Sequence, residues 1–432
     1  MFAALPMLLF AGGAGAVPAT VSQAELRATI ERLVGFGTRH TLSDTVSETR
    51  GIGAARRFAA GRFATFSRDC GGCLTIETPS KLMTSPRVPV PAEIVDVLAI
   101  QRGTTDPDRV VIISGHIDSR NSDPLDAKGD APGANDDASG TAAVIEAARV
   151  LSKQKFAATI VYAVLSGEEQ GLLGGKLLAE TAKARGWRVE AVLNNDIVGN
   201  SHGSGGARDD KVVRVFSEGT KATETPEQAD KRRYNGGEVD SPARNLSRFI
   251  AGLQGKDLRV QQVWRTDRFG RGGDQVPMLQ AGFPAVRITE RQENYDRQHQ
   301  NVRTENGRAY GDVISGVDFP YLAKVTTLNV AALAALATAP GVPTGVTIEG
   351  QVSPDTKLAW KAVPGAAHYR VWWRPTTAAA WSNSRDVPAG ATTLTLKGID
   401  IDSWFFGVSA VGADGAASPV VYPGVAGAFL PD

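Results

Sequence analysis

The chain has only two cysteines, five histidines and four methionines in 432 residues. So few cysteines exclude a thiolate-rich zinc or iron–sulfur site, since structural sites of that kind usually draw four Cys/His ligands with thiolates among them. Any metal must therefore lean on carboxylates. An excess of charge of one sign is also lacking: 47 Lys+Arg face 46 Asp+Glu, a formal +1. A dedicated nucleic-acid or anionic-membrane binder would carry a basic excess or stripe, so neither partner is expected. Beyond the first sixteen residues no apolar run reaches the roughly 18 residues that cross a bilayer. The HExxH motif of thermolysin-type zinc enzymes is absent.

What is present is an ordinary soluble composition, 42% hydrophobic and 22% charged, long enough for two to four domains at roughly 100–200 residues each. Residues 1–16, MFAALPMLLFAGGAGA, form an apolar run ending in Ala14-Gly15-Ala16. They read as a cleaved secretory signal, which implies a secreted or periplasmic protein with no membrane attachment after cleavage. Cys70-Gly-Gly-Cys73 does not follow the strand of a thioredoxin-like unit, and in an exported chain it predicts a small structural disulfide.

Residues 23–66 pattern as helix, loop and helix. Apolar, β-rich runs follow at Val110–Ile113, Thr159–Leu165, Val189–Leu193 and Ala285–Ile288, spaced by helical stretches at Ala138–Lys153, Leu172–Arg185 and Ser241–Leu253. Continuous apolar strands alternating with helices predict an α/β domain over 17–340, with a mostly parallel central sheet buried on both faces. Ligands gather at the carboxyl ends of such strands. A last apolar helix, Leu322–Thr338, closes the domain. The stretch 199–240 lacks periodicity and reads as a long surface insertion. After the Pro/Gly linker 339–344 the pattern alternates, which predicts an all-β sandwich over 341–432 that resembles a fibronectin type III module, with Trp360 and Tyr369 as core anchors. Ordinary packing is the expected use of Trp372, Trp373 and Trp381; an exposed set would instead offer a polymer or cell-surface contact.

The chemistry sits at predicted strand ends. His116 closes one strand with Asp118 two residues on, placed to hold the second ring nitrogen. Asp136 and Asp137 are consecutive carboxylates at a helix start between glycines; capping explains one of them and not both. Glu168 and Glu169 follow another strand, where adjacent acids repel unless a cation or shared proton compensates. One of them can ligate a metal while its neighbour takes a proton from water. Asp196 ends a fourth strand, and His299 lies on a later loop. Two imidazoles and three carboxylates, His116, Asp136, Glu169, Asp196 and His299, suit two zinc ions with Asp136 shared. A formal GxSxG match at Gly199–Gly203 lacks the helix that a serine nucleophile needs after it. His40, His202 and His368 read as structural or solvated.

The ordered set of His116-Ile-Asp-Ser119, Pro132 to Gly140, Gly167-Glu-Glu169, Asn194-Asn-Asp196 and a late His299 resembles the M28 family of dizinc aminopeptidases, of the secreted bacterial leucine-aminopeptidase type, over residues 23–340. The resemblance implies a zinc exopeptidase fold and removal of N-terminal residues from peptides. It implies His116 and Asp196 on one zinc, Glu169 and His299 on the other, and Asp136 between them. Glu168 becomes the general base for the attacking water and Asp118 the residue that orients His116. It further implies a cis peptide at Asp136–Asp137 and an aromatic substrate contact at Tyr295. Two departures stand out. His299 is followed by Gln-Asn-Val-Arg303 where relatives have His-Thr-x-x-Asp, and Gly273-Asp-Gln275 replaces their Ser-Asp-His. A carboxypeptidase or dipeptidase on the same fold would need arginine for a terminal carboxylate, and Arg271, Arg287 and Arg297 are candidates. A glutaminyl-cyclase-like transferase shares the fold but uses one zinc.

Overall fold

The computed structural model describes residues 20–424; the predicted leader at 1–16 lies outside them. Two helices come first, α1 (Gln23–Val34) and α2 (Gly51–Asp69), followed by strands β1 (Thr75–Glu77), β2 (Ser80–Ser85), β3 (Val88–Val95), β4 (Val97–Gln101) and β5 (Asp106–His116). Alternation then sets in: α3 (Ala138–Leu151), β6 (Ala158–Leu165), α4 (Leu173–Ala184), β7 (Arg188–Asn195) and β8 (Val212–Phe216). Next come α5 (Pro226–Asn235), α6 (Pro242–Gly252), β9 (Arg259–Val263), α7 (Gln275–Gln280), β10 (Ala285–Glu290), the hairpin β11 (Arg303–Glu305) and β12 (Arg308–Tyr310), and α8 (Phe319–Thr338).

One eight-stranded sheet carries the domain, in the order β1-β4-β6-β5-β7-β10-β8-β9. The pairs β5/β6, β5/β7, β7/β10 and β8/β9 are parallel, while β1/β4, β4/β6 and β8/β10 are antiparallel. Along β5, Val111 and Ile113 pack into the core with α1, α2, α3 and α8, whereas Val110 and Ile112 face the core that holds Leu178 of α4 and Met278 of α7. This period of two with both faces apolar is why the strands read as unbroken hydrophobic runs. The chain steps from β5 through α3 to β6 on one side, then through α4 to β7 on the other, so a crevice opens at the carboxyl end of β5.

Three details depart from the sequence expectations. The stretch 199–240 is not a structureless insertion: Val212-Val-Arg-Val-Phe216 forms β8 inside the main sheet, and Pro226–Asn235 forms a capped helix. A five-residue β-branched run between charged loops was too short to stand out by periodicity. Helix α8 is, by length and composition alone, apolar enough to cross a membrane. Its Tyr321, Leu322, Val325, Leu328, Ala332 and Leu333 are nevertheless buried in the same core as α1 and α3. Finally, β2 and β3 form a separate two-stranded hairpin that the sequence reading did not anticipate. Cys70 and Cys73 are joined by a disulfide.

Residues after the linker form β13 (Thr347–Glu349), β14 (Thr356–Ala359), β15 (His368–Pro375), β16 (Asn383–Pro388), β17 (Thr393–Leu396) and β18 (Trp404–Val411). They make two three-stranded antiparallel sheets, β13-β14-β17 and β16-β15-β18. Trp360 and Tyr369 meet edge to face at 5.3 Å in their shared core. Trp372, Trp373 and Trp381 are half-buried: Trp372 Nε1 donates to Ser409 Oγ, Trp373 packs against the core, and Trp381 Nε1 donates to Asn245 Oδ1 of α6. Arg374 of β15 and Arg248 of α6 converge on Asp240 at 2.7 and 2.9 Å, all three side chains buried, and so dock this module on the α/β domain.

Candidate metal centre

Strand register brings the distant motifs level. His116 of β5 lies opposite Leu165 of β6, three residues before Glu168, and Ile288 of β10 lies opposite Asn195 of β7, one residue before Asp196. Parallel neighbours end on the same edge, so the loops that follow them converge. The Asp136/Asp137 pair divides its work. Asp137 is the N-cap of α3, its Oδ1 accepting from Gly140 N and from Ile197 N, and its Oδ2 from His116 N. Asp136 is thereby left free to point at the cluster. The bond between the two is cis.

Two groups of donors share Asp136. His116 Nε2 stands 3.3 Å from Asp136 Oδ1 and 3.9 Å from Asp196 Oδ1. His299 Nε2 stands 3.0 Å from both Asp136 Oδ2 and Glu169 Oε1. His116–Asp136–Asp196 and Asp136–Glu169–His299 are each compact enough to hold one metal ion. Asp118 acts more broadly than a simple orienter. Its backbone carbonyl, 3.1 Å from His116 Nδ1, lies closer than its carboxylate at 3.6 Å. The carboxylate accepts from Gly167 N, Glu168 N and Glu169 N, and so shapes the turn that presents both glutamates.

Electrostatics show what the cluster lacks. Burial alone would lower the His116 imidazole, but Asp118, Asp136 and Asp196 outweigh it and the net shift is well upward. His299 is likewise lowered by burial yet raised to about 10 by Glu169 and Asp136. Burial, with Asp196 and Glu169 beside it, pushes Glu168 well up against the pull of His116. Asp196 is lowered because Arg287 and His116 overcome its burial. Crowded acids thus retain protons on their neighbours to offset negative charge, and divalent cations would offset it better. Among the described residues the buried atoms His116 Nε2 and Glu169 Oε1 make no well-aligned hydrogen bond, and both would serve a metal that displaces the imidazole proton. The donor set, two imidazoles and three carboxylates, fits zinc.

Several supporting residues carried no motif. Asp312 accepts from Asn135 N and, at 2.7 Å, from Asp136 N, which fixes the shared carboxylate. Gln298, next to His299, donates to Asp136 Oδ2 at 3.2 Å. Arg287, offered above as a substrate anchor, is fully buried and pairs with Asp196 Oδ2 at 2.6 Å, so it steadies a candidate ligand instead. Ile197, just after Asp196, has φ +51°. That is an uncommon conformation for a β-branched residue, tied down here by Asp137 Oδ1 at its N–H and by Thr289 Oγ1 and Glu290 N at its carbonyl. Asn195 and Asn329 exchange reciprocal amide bonds at 3.0 and 2.8 Å, anchoring the end of β7 to α8.

An open cavity of about 450 Å³ lies beside the cluster, lined by Asp136, Glu168, Glu169, Asp196 and His299 together with Leu172, Arg268 and Arg271. Tyr295 is not among its lining residues; its side chain is 61% exposed. Arg297 lies instead against Gly316 and lines a separate small pocket. His40 is buried, with Nε2 2.9 Å from Pro124 O, and Ser201 of the formal GxSxG match donates to Asp318.

Comparison with known proteins agrees with this geometry. The model of peptidase family M28 matches residues 96–317. A protein named "Probable zinc metalloprotease" from Leptosphaeria maculans is 46% identical over 411 residues, covering 93% of this chain and 95% of its own. A "Probable zinc metalloprotease" from Pyrenophora tritici-repentis is 44% identical, covering 93% and 85%. Among solved structures, the LapA aminopeptidase of Legionella pneumophila superposes with a TM-score of 0.53 at 18% identity, covering 74% of this chain and 72% of that one. A leucine aminopeptidase precursor from Bacteroides thetaiotaomicron reaches 0.50 at 14% identity, covering 73% and 98%. These last two likenesses concern the fold. With its family model spanning half the chain and a relative at 46% identity over nearly all of it, the chain belongs to peptidase family M28.

Proposed function

We propose that the protein is a dizinc aminopeptidase that hydrolyses the first peptide bond of unblocked peptides. The observation that carries this reading is the pair of donor groups sharing Asp136, with the unshared Glu168 lining the same cavity. His116 and Asp196 would hold one ion, Glu169 and His299 the other, and Asp136 would span both. The ions, when bound, supply Lewis-acid polarisation of the scissile carbonyl and acidify water.

The chain's own residues do the rest. Asp118 holds the turn of Glu168 and Glu169 through three N–H groups, so that one glutamate faces the ligand cluster and the other keeps its carboxylate for proton transfer. Glu168, the general base, takes a proton from the attacking water and returns it to the leaving amine. Asp312 and Gln298 hold Asp136 at its backbone and its Oδ2, which limits its rotation during the cycle. Arg287 neutralises the outer oxygen of Asp196.

Export through the leader at 1–16, and a fibronectin type III-like character for the C-terminal sheets with a polymer or cell-surface contact through them, belong to the same proposal and rest on sequence pattern. The test is metal analysis with hydrolysis of amino-acid p-nitroanilides. Two zincs per chain and chelator-sensitive release from free but not N-acetylated substrates are expected; release from neither anilide, with cleavage of an N-acetylated dipeptide that keeps a free C-terminal carboxylate, would favour a carboxypeptidase. Glu168→Gln should keep both metals and lower turnover by at least about 10²-fold. Full activity in that variant would remove Glu168 from its role.

A further inference from the structure

Four arginines line the cavity beside the metal ligands: Arg87, Arg120, Arg268 and Arg271. They arrive from three separate segments, the β2–β3 hairpin, the loop after β5 and the loop before α7. Arg268 and Arg271 share Glu293 at 3.4 and 2.9 Å, and Arg214 takes the same carboxylate at 2.6 Å. Three guanidiniums on that one acid leave a positive surplus, even with Asp267 beside Arg268. Arg87 Nη1 donates to the carbonyl of Glu169 at 2.7 Å, and Arg120 donates to the carbonyls of Asn121 and Ser122 at 3.1 and 3.3 Å. Among the described residues neither Arg87 nor Arg120 has a carboxylate partner.

The acids that line the same cavity, Asp136, Glu168, Glu169 and Asp196, are those that two divalent ions would offset. The arginines then decide the sign of the remaining wall. A guanidinium presents a planar fork that matches a carboxylate, and a cleft walled by one sign concentrates ligands of the other. Among the described residues no acidic side chain beyond those four lines the cavity to attract a basic residue.

Resting on the aminopeptidase reading, we propose that this site selects peptides with a carboxylate close to the scissile bond, received by Arg87 and Arg120 within the positive field of Arg268 and Arg271. The carboxylate is either an acidic side chain after the cleaved residue or the free C-terminus of a dipeptide. Two matched pairs separate these sources on the zinc-loaded full chain: Leu-Glu amide against Leu-Gln amide, and Leu-Leu against Leu-Leu amide. The carboxylate member of at least one pair is expected to show kcat/KM at least about tenfold higher, the scale of a hydrogen bond to a charged group, with the difference mainly in KM. Preference in the first pair identifies a side chain, and in the second the chain terminus.

In Arg87→Gln/Arg120→Gln the ratio should fall to within about threefold. The single variant Arg120→Glu should shift preference towards Leu-Lys amide over Leu-Glu amide, a change that misfolding would not produce. Equal rates within both pairs, or a preference untouched in the double variant, would overturn the proposal. Chelator-sensitive cleavage with equal rates defeats only the arginine inference, whereas no cleavage of any unblocked peptide, or cleavage indifferent to chelator, defeats the dizinc-aminopeptidase reading beneath it.

Discussion

Arg287 offers a test of how a candidate ligand carboxylate is held before metal arrives. Its Nη1 lies 2.6 Å from Asp196 Oδ2, 3.6 Å from Asp267 Oδ2 and 3.1 Å from the carbonyl of Gly272, with no part of the side chain exposed. Removing one partner of a buried ion pair costs about 3–5 kcal/mol. The Arg287→Met change falls at the lower end, because Nε and Nη2 have no hydrogen-bond partner among the described residues and their loss recovers part of the arginine's desolvation. About 3 kcal/mol, at about 2 °C per kcal/mol for a chain of this size, predicts a drop of about 6 °C in the metal-free protein. With zinc loaded, a divalent ion beside Asp196 would take over the compensation, and the drop should shrink below about 3 °C. Differential scanning calorimetry with and without chelator reads both values. A metal-free drop under about 1 °C, or equal drops in the two states, would refute the assignment of Arg287 as the counter-charge of Asp196.

Two further outcomes follow from other parts of the fold. A methyl group at Gly115 would lie 2.6 Å from the carbonyl carbon and 2.9 Å from the carbonyl oxygen of Gly140, so Gly115→Ala should force β5 and α3 apart beside His116. A loss of about 1–3 kcal/mol in stability with reduced zinc per chain, by calorimetry and metal analysis, is expected; unchanged zinc content would show that His116 does not depend on that close approach. Glu218 is buried and its carboxyl is raised from 4.5 to about 7, chiefly by desolvation and against the pull of Lys221 and Arg244. The folded state therefore holds a proton that the unfolded chain has released, so its contribution to stability is complete below pH 4.5 and is lost as pH rises through about 7. Glu218→Gln should flatten that part of the urea-denaturation profile, and an unaltered slope would assign it to other groups.

The α/β class and the five ligand candidates were legible in sequence because each rests on local chemistry. Apolar runs of strand length must be buried on both faces, and acids doubled beside glycines at strand ends demand compensation. Asp118, Asp312 and Gln298 show where that legibility stops. Asp118 could be paired with His116 by spacing, yet its carboxylate is committed to the Gly167–Glu169 turn, 49 to 51 residues away. Asp312 sits beside Asp136, 176 residues away in sequence, only because the loop before α8 folds back onto the loop that leads into α3. Tyr295 follows a motif position but projects into solvent.

The amino-acid order alone thus determined which donors were available, their strand-end setting, and the scarcity of thiolates that leaves carboxylates as the candidate ligands. Tertiary structure decided which donors share Asp136, that Arg287 faces Asp196 rather than the cavity, and that Arg87, Arg120, Arg268 and Arg271 gather along one cavity. The reason is range: hydrophobic period and capping act over a few residues, whereas charge compensation in a buried site is set by through-space distances that strand order and register fix only once the sheet has closed.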